Sequence, residues 1–220
     1  NELCHSEVPP MPLDVCVAES QGQIAYLALQ AWDRTCRSAR REVPMVPVIT
    51  RTVVSADDPA FRDPTKPIGP YYPKERAAVL AKEKGWVFQE DLKRGGMRRV
   101  VPSPDVVKVA KEEHLRTLAE SLAPPFAVLC GGGGGVPVVQ SGAGFIGVEA
   151  VVDKDLASAR LATVLHADIL IMVTDVEAVY LDFTSDRPRP LRMVTLDELG
   201  RHAAEGQIPP GSKGPKVEPA

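Results

Sequence analysis

Five consecutive glycines, Gly131 to Gly135, follow an apolar run, Phe126 to Cys130. This junction constrains the fold more than any other feature of the chain. The run reads as a short buried strand. Glycine costs roughly 0.5–1 kcal/mol relative to alanine in regular structure, so five in a row mark a place where bare backbone is wanted and packing alone is a poor explanation. In an open α/β sheet, ligands bind outside the carboxyl ends of the strands. Free N–H groups at such a turn can converge on an anion. The run is not a P-loop, because Lys and Ser/Thr do not follow the last glycine. A flexible loop is the competing reading.

The second half of the chain alternates strand and helix. Val148–Val152 is strand-like, Asp155–His166 is helical with Leu156, Leu161, Val164 and Leu165 inward, and Asp168–Val173 reads as a buried strand. Such β-α-β alternation predicts a mainly parallel sheet with helices on both faces. In the first half, Ser20 caps a helix whose inward face is Ile24, Leu27, Ala28 and Ala31, followed by a basic end at Arg37, Arg40 and Arg41. Val46–Val54 is β-branched and reads as a strand.

Residues 57–101 differ in character. Pro59, Pro64, Pro67, Pro70 and Pro73 fall within 57–74, which predicts an excursion rather than a helix or central strand. Pro73 starts a short helix that Gly85 stops. Residues 86–91 and 97–101 flank Lys93-Arg94-Gly95-Gly96 as a hairpin. We expect 57–101 to be a small inserted, protruding subdomain within a single domain spanning 1–220. From Pro104 a helix is expected to about Leu122.

Composition bounds the partners. With 26 Lys+Arg against 29 Asp+Glu the net charge is −3, which argues against bulk binding to nucleic acid or an anionic membrane. No apolar run reaches the roughly 18 residues of a membrane span. Cys4, Cys16, Cys36 and Cys130 form no C-x-x-C pair and predict reduced thiols in a cytoplasmic protein. His5, His114, His166 and His202 are scattered, so no metal site is expected. The chain starts at Asn1 rather than Met, which suggests a missing N-terminal portion.

Other motifs carry chemistry. Asp153-Lys154-Asp155 opens the helix after the glycine run. A lysine there opposes the helix dipole; flanking carboxylates, or a phosphate using the ammonium and the free N–H groups, would offset that. Gly211-Ser212-Lys213-Gly214-Pro215-Lys216 has a similar build. Thr174-Asp175, then Tyr180, end a predicted strand where a ribose and base can sit. Gly142-Ala143-Gly144-Phe145-Ile146-Gly147 matches G-x-G-x-x-G, but strand-like residues follow it, so it is read as a turn.

Together these stretches resemble the carbamate kinases of the amino-acid kinase family. The resemblance rests on PPMPLDVC (9–16), SQGQIAY (20–26), DPAFRDPTKPIGPYY (58–72), RRVVPSP (98–104), GGGGGVPV (131–138), GVEAVVDKDLASARLA (147–162), TDVEAVY (174–180) and PPGSKGPKVE (209–218). It implies a three-layer α/β/α sandwich with a protruding subdomain, acting as a homodimer. It also implies Mg²⁺-dependent phosphoryl transfer between ATP and carbamate, giving ADP and carbamoyl phosphate, often run towards ATP in arginine breakdown. By matching motif positions, Lys154 and Lys216 correspond to the lysines that embrace the transferring phosphoryl group, and Asp155 to the carboxylate that positions them. Lys66 corresponds to the residue reaching over from the subdomain. Gly131, Gly132, Gly133 and Gly134 would bind phosphate, and Thr174, Asp175 and Tyr180 would contact the nucleotide. The resemblance further implies that about a third of a family member is absent, including an N-terminal Gly-Gly-Asn turn, and that Lys213 stands where the family usually has Met. The rival expectations are a kinase relative acting on another acid and a truncated, inactive nucleotide-binding fragment.

Overall fold

The computed structural model describes residues 11–91, 94–174, 177–182 and 188–207. Its first element, helix α1, runs Leu13–Ser38. It starts at Pro12, not Ser20, because proline's fixed φ suits a helix start; the Ser20 hydroxyl instead donates to the Cys16 carbonyl inside the helix. The inward face is also not the expected one: Ile24 and Leu27 are exposed, while Gln21 is buried.

The expected strand at 46–54 is two strands, β1 (Met45–Pro47) and β2 (Arg51–Val53), with the ladder interrupted between them. Strand β1 pairs in parallel with β7 (Ala127–Leu129). Strand β2 pairs in parallel with β8 (Val136–Ser141) and antiparallel with β6 (Lys108–Val109). Strand β8 turns at Gly142-Ala143 into β9 (Gly144–Gly147), so the G-x-G-x-x-G stretch, read as a turn, is the turn and second strand of a hairpin. The predicted helix from Pro104 is corrected here: 108–109 add an edge strand to β2, and helix α3 occupies only Glu112–Ser121.

Layering follows from side-chain alternation. Val53 and Val138 pack against Val17 and Ala18 of α1. Their neighbours Val54 and Val139 pack with Ala157 of helix α4 (Lys154–Val164). Successive strand residues point to opposite faces, so α1 and α4 cover opposite sides of the sheet. This is an α/β/α sandwich with parallel pairs β1–β7 and β2–β8 at its centre. Each fully buried valine contributes roughly 1.5–3 kcal/mol.

Within 57–101 the described structure is a three-stranded antiparallel sheet, order β3-β5-β4, made of Lys66–Tyr72, Met97–Val101 and Val87–Glu90. The proline-rich β3 is an edge strand with a bulge between Ile68 and Tyr71, the place in a sheet where missing N–H donors cost least. Helix α2 (Lys74–Lys84) starts at Pro73 and ends at Gly85 with φ 66°, as its sequence predicts. Two ion pairs tie this sheet to the residues ahead of α4: Lys66–Asp153 at 2.7 Å and Arg99–Glu149 at 3.0 Å.

Two further expected strands are corrected. Residues 148–152 are not a strand, although Ala150 and Val152 are buried. Residues 168–173 pair with no strand among the described residues, and Ile169, Ile171 and Val173 are 76%, 79% and 89% exposed. After them, strands β10 (Val179–Leu181) and β11 (Arg189–Leu191) form a hairpin that packs through Leu181 and Leu191 on Leu199 of helix α5 (Leu196–Ala204). No described helix is long and apolar enough to cross a membrane.

Candidate functional site

Asp153 organises the first part of the site. Its carboxylate accepts the Asp155 N–H at 2.8 Å and so caps α4. The same carboxylate pairs with Lys66 Nζ, brought from the first residue of β3. Burial opposes ionisation of Asp153, yet hydrogen bonds from Lys66 and from the N–H groups of Asp155 and Leu156 together hold its carboxyl below the ordinary range. Asp153 therefore serves Lys66 and the helix start rather than clasping Lys154.

Lys154 is the first residue of α4 and is exposed. Asp155 is buried at 7%. Lysine at a helix N-terminus faces unfavourable dipole charge, and among the described residues it has no ion-pair partner. Its charge is thus unneutralised at a helix end whose N–H groups themselves favour anions.

The glycine run lies against this helix start. A side chain on Gly134 would collide with the Val152 carbonyl, two residues before Lys154. A Cβ on Gly131 would lie 3.7 Å from Leu161 Cδ1 of α4. Gly131, Gly133 and Gly135 have positive φ of 84°, 113° and 81°, where L side chains are strained. The Gly135 N–H closes the turn on the Gly131 carbonyl at 2.8 Å. Packing therefore explains more of this run than its sequence suggests: Gly132, Gly134 and Gly135 each sit where a Cβ would strike Gln21, Val152 or Thr52. Among the described residues, the N–H groups of Gly132, Gly133 and Gly134 meet no protein acceptor, and Gly133 is exposed.

The structure thus brings Lys66, Asp153, Lys154, Asp155 and Gly131–Gly134 into one neighbourhood. Thr174 is exposed, ahead of the β10–β11 hairpin, and Tyr180 is half-buried on β10 opposite Pro190. A cavity of about 670 Å³ opens between that hairpin and α5, lined by Arg189, Arg192, Arg201 and His202. Asp175, Lys213 and Lys216 lie outside the described residues.

Four polar or charged side chains are buried among the described residues: Gln21, Thr50, Thr52 and Asp155. The first three surround the glycine turn, and the sequence reading singled out none of them as site residues. The available signal was SQGQ, whose Gln21 interrupts an otherwise apolar-periodic helix. Cys16, Cys36 and Cys130 carry no disulfide. Burial pushes the Cys130 thiol up, which keeps it protonated and unreactive.

Comparison with known proteins adds a separate line of support. The profile of the amino acid kinase family matches residues 76–220. A carbamate kinase of Pyrococcus horikoshii is 46% identical over 210 residues, covering 96% of this chain and 66% of that protein. Carbamate kinase 3 of Staphylococcus aureus is 40% identical over 216 residues, covering 98% of this chain and 69% of its own length. Among solved structures, a Giardia lamblia carbamate kinase bound to AMP-PNP superposes with TM-score 0.85 at 36% identity, across 99% of this chain and 68% of that one. The chain spans about two thirds of the length of the curated relatives it matches.

Proposed function

From the premise that the chain belongs to the amino acid kinase family, and within it to the carbamate kinases, we propose that it catalyses reversible phosphoryl transfer between ATP and carbamate. In the ATP-forming direction an oxygen of the ADP β-phosphate attacks the phosphorus of carbamoyl phosphate. The P–O bond to the carbamoyl group breaks, and carbamate leaves with the electron pair. Such chemistry needs positioning and charge neutralisation more than covalent help.

The single observation that carries this reading is the meeting of the glycine turn with the N-terminus of α4, where Gly134 abuts Val152. The exposed Lys154 opens that helix, and the Gly132–Gly134 N–H groups meet no protein acceptor among the described residues, which supports reading the junction as an anion site. We assign Gly132–Gly134 and Lys154 to the transferring phosphoryl group, Gly131, whose N–H the Thr50 hydroxyl accepts, to anchoring the turn, and Asp155 to orienting the lysine. Lys66, held by Asp153, reaches the same place from the subdomain. Lys216 is assigned as the second lysine, and Thr174, Asp175 and Tyr180 as nucleotide contacts, on motif resemblance.

The donor set here, N–H groups and lysines, suits phosphate oxygens. Mg²⁺ is usually held by one or two carboxylates plus substrate phosphates, so the ion would enter on the phosphates of the nucleotide, and no residue of this chain is assigned to it. When bound it offsets charge on the phosphates. A homodimer, a cytoplasmic setting and a role in arginine breakdown complete the proposal, on the same resemblance.

The test is ATP formation from ADP and carbamoyl phosphate with Mg²⁺, against a panel containing acetylglutamate and nucleoside monophosphates with ATP. Turnover confined to carbamoyl phosphate supports the assignment. Turnover of a different acid overturns it, and so does tight ADP binding without any turnover.

A further inference from the structure

The glycine turn is held from beneath by a side-chain clamp. Thr50 and Thr52 alternate along one stretch of chain, so their side chains share a face. The Thr50 hydroxyl accepts the Gly131 N–H at 2.9 Å, at the start of the turn. The Thr52 hydroxyl donates to the Gly134 carbonyl at 2.7 Å, at its end. Thr52 is 1% exposed and Gly134 is buried, so this bond lies in the interior.

Gln21 of α1 completes the device. Its side-chain amide donates to the Thr50 carbonyl and accepts the Thr50 N–H, both at 2.9 Å. The amide thus stands in for a neighbouring strand at the point where the ladder breaks between β1 and β2. Gly132 rides directly over it: a Cβ there would lie 2.6 Å from Gln21 Cγ. The turn is gripped at both ends and supported in the middle.

We propose that Gln21, Thr50 and Thr52 are positioning residues that fix the Gly132–Gly134 N–H groups in the direction of the transferring phosphoryl group. They do not touch substrate. They act by spending the turn's inward-facing polar groups on protein partners, so that its remaining N–H groups point away from the clamp. Preorganised donors need no rearrangement at the moment of reaction, which is what makes them effective. This inference rests on the proposed phosphoryl-transfer reading for its ligand, and on the structure alone for its geometry.

The experiment compares wild type with Thr52→Val, which keeps the shape and removes the hydroxyl, and Thr52→Ser, which restores it. Two readouts are taken on the full chain. The first is titration of the Gly132, Gly133 and Gly134 amide resonances with inorganic phosphate. The second is kcat and KM for ADP with carbamoyl phosphate. The expected result is saturable shifts of the wild-type amides, and a Thr52→Val variant with phosphate affinity and kcat each down about 10- to 100-fold, the range typical when groups that orient primary ligands are removed. KM for ADP should change less than kcat, and Thr52→Ser should recover to within a few-fold of wild type.

Wild-type amides unmoved by phosphate would overturn the proposal. So would a Thr52→Val protein that is less heat-stable yet keeps wild-type affinity and kcat, because that marks a purely structural role. If Thr52→Val does not fold, Thr50→Val, which releases the Gly131 N–H, is read in the same way. Amide shifts lost in Thr52→Val but present in a wild type that turns over no carbamoyl phosphate would sink the proposed reaction and leave the clamp standing. Normal turnover unaffected by Thr52→Val would do the reverse.

Discussion

Two apolar stretches of this chain, 126–130 and 168–173, look alike as sequence, and both read as buried strands. The first supplies β7, pairs with β1 and runs into the glycine turn. The second pairs with nothing among the described residues and turns Ile171 and Val173 almost fully to solvent. Both are strongly apolar; what differs is whether the rest of the described structure offers an edge and a face to cover them. Apolar content shows that a segment wants burial, and only a partner shows where it gets it.

The largest expected effect separates the proposed phosphate site from the rest of the fold. Lys154→Ala removes an exposed ammonium at the start of α4, so we expect ATP formation to fall about 10²- to 10³-fold, by analogy with the loss of one preorganised electrostatic group. Thermal stability should hardly move. A rate within threefold of wild type would take Lys154 out of the chemistry.

Next comes the backbone of the covered region. Gly134→Ala forces a methyl onto the Val152 carbonyl, whereas Gly142→Ala, in the β8–β9 turn, meets nothing within 4 Å. Chemical denaturation should show Gly134→Ala destabilised by at least about 2 kcal/mol and Gly142→Ala changed by about 0.5 kcal/mol or less. Equal losses would mean the turn is not packed against α4 as described.

The third prediction concerns pH. The Asp153 carboxyl is held below its ordinary value near 3.8, so its charged form is favoured in the folded chain. That contribution is present above the ordinary value and is lost as pH falls through the lowered one. Asp153→Asn should therefore be less stable than wild type near neutrality, with the gap closing below about pH 4. A constant gap down to pH 2 would show that the Lys66 pairing does not couple to folding.

The smallest effect tests the uncovered stretch. Ile171→Thr should alter stability by within about 0.5 kcal/mol, as exposed substitutions do, while Val138→Thr in the central sheet should cost well over 1 kcal/mol. A loss at Ile171 matching that at Val138 would mean 168–173 is covered in solution and would erase the contrast.

Much of the frame was legible in the sequence. The strand-glycine junction, α2 between Pro73 and Gly85, the 86–101 hairpin and α4 follow from local signals of periodicity, proline and glycine. The misses are of one kind. The start of α1, the break between β1 and β2, the strand at 108–109 and the fate of 168–173 depend on what a distant segment provides, which no local pattern encodes. The same holds for the site. Lys66, Lys154 and the glycines stood out as motif residues, while Gln21, Thr50 and Thr52 carry no signature of their own. Their role exists only because Thr50 and Gly131, 81 positions apart in the chain, return to the same place.

The central claim is that the glycine turn and the first turn of α4 together seat the phosphoryl group that moves. It is tested most directly by the position of phosphate in a crystal structure of this chain grown with ADP and inorganic phosphate. The account predicts phosphate oxygens within hydrogen-bond distance of the Gly132–Gly134 N–H groups and of the Lys154 ammonium. Phosphate bound instead among Arg189, Arg192 and Arg201 beside α5, with the glycine turn empty, would contradict it.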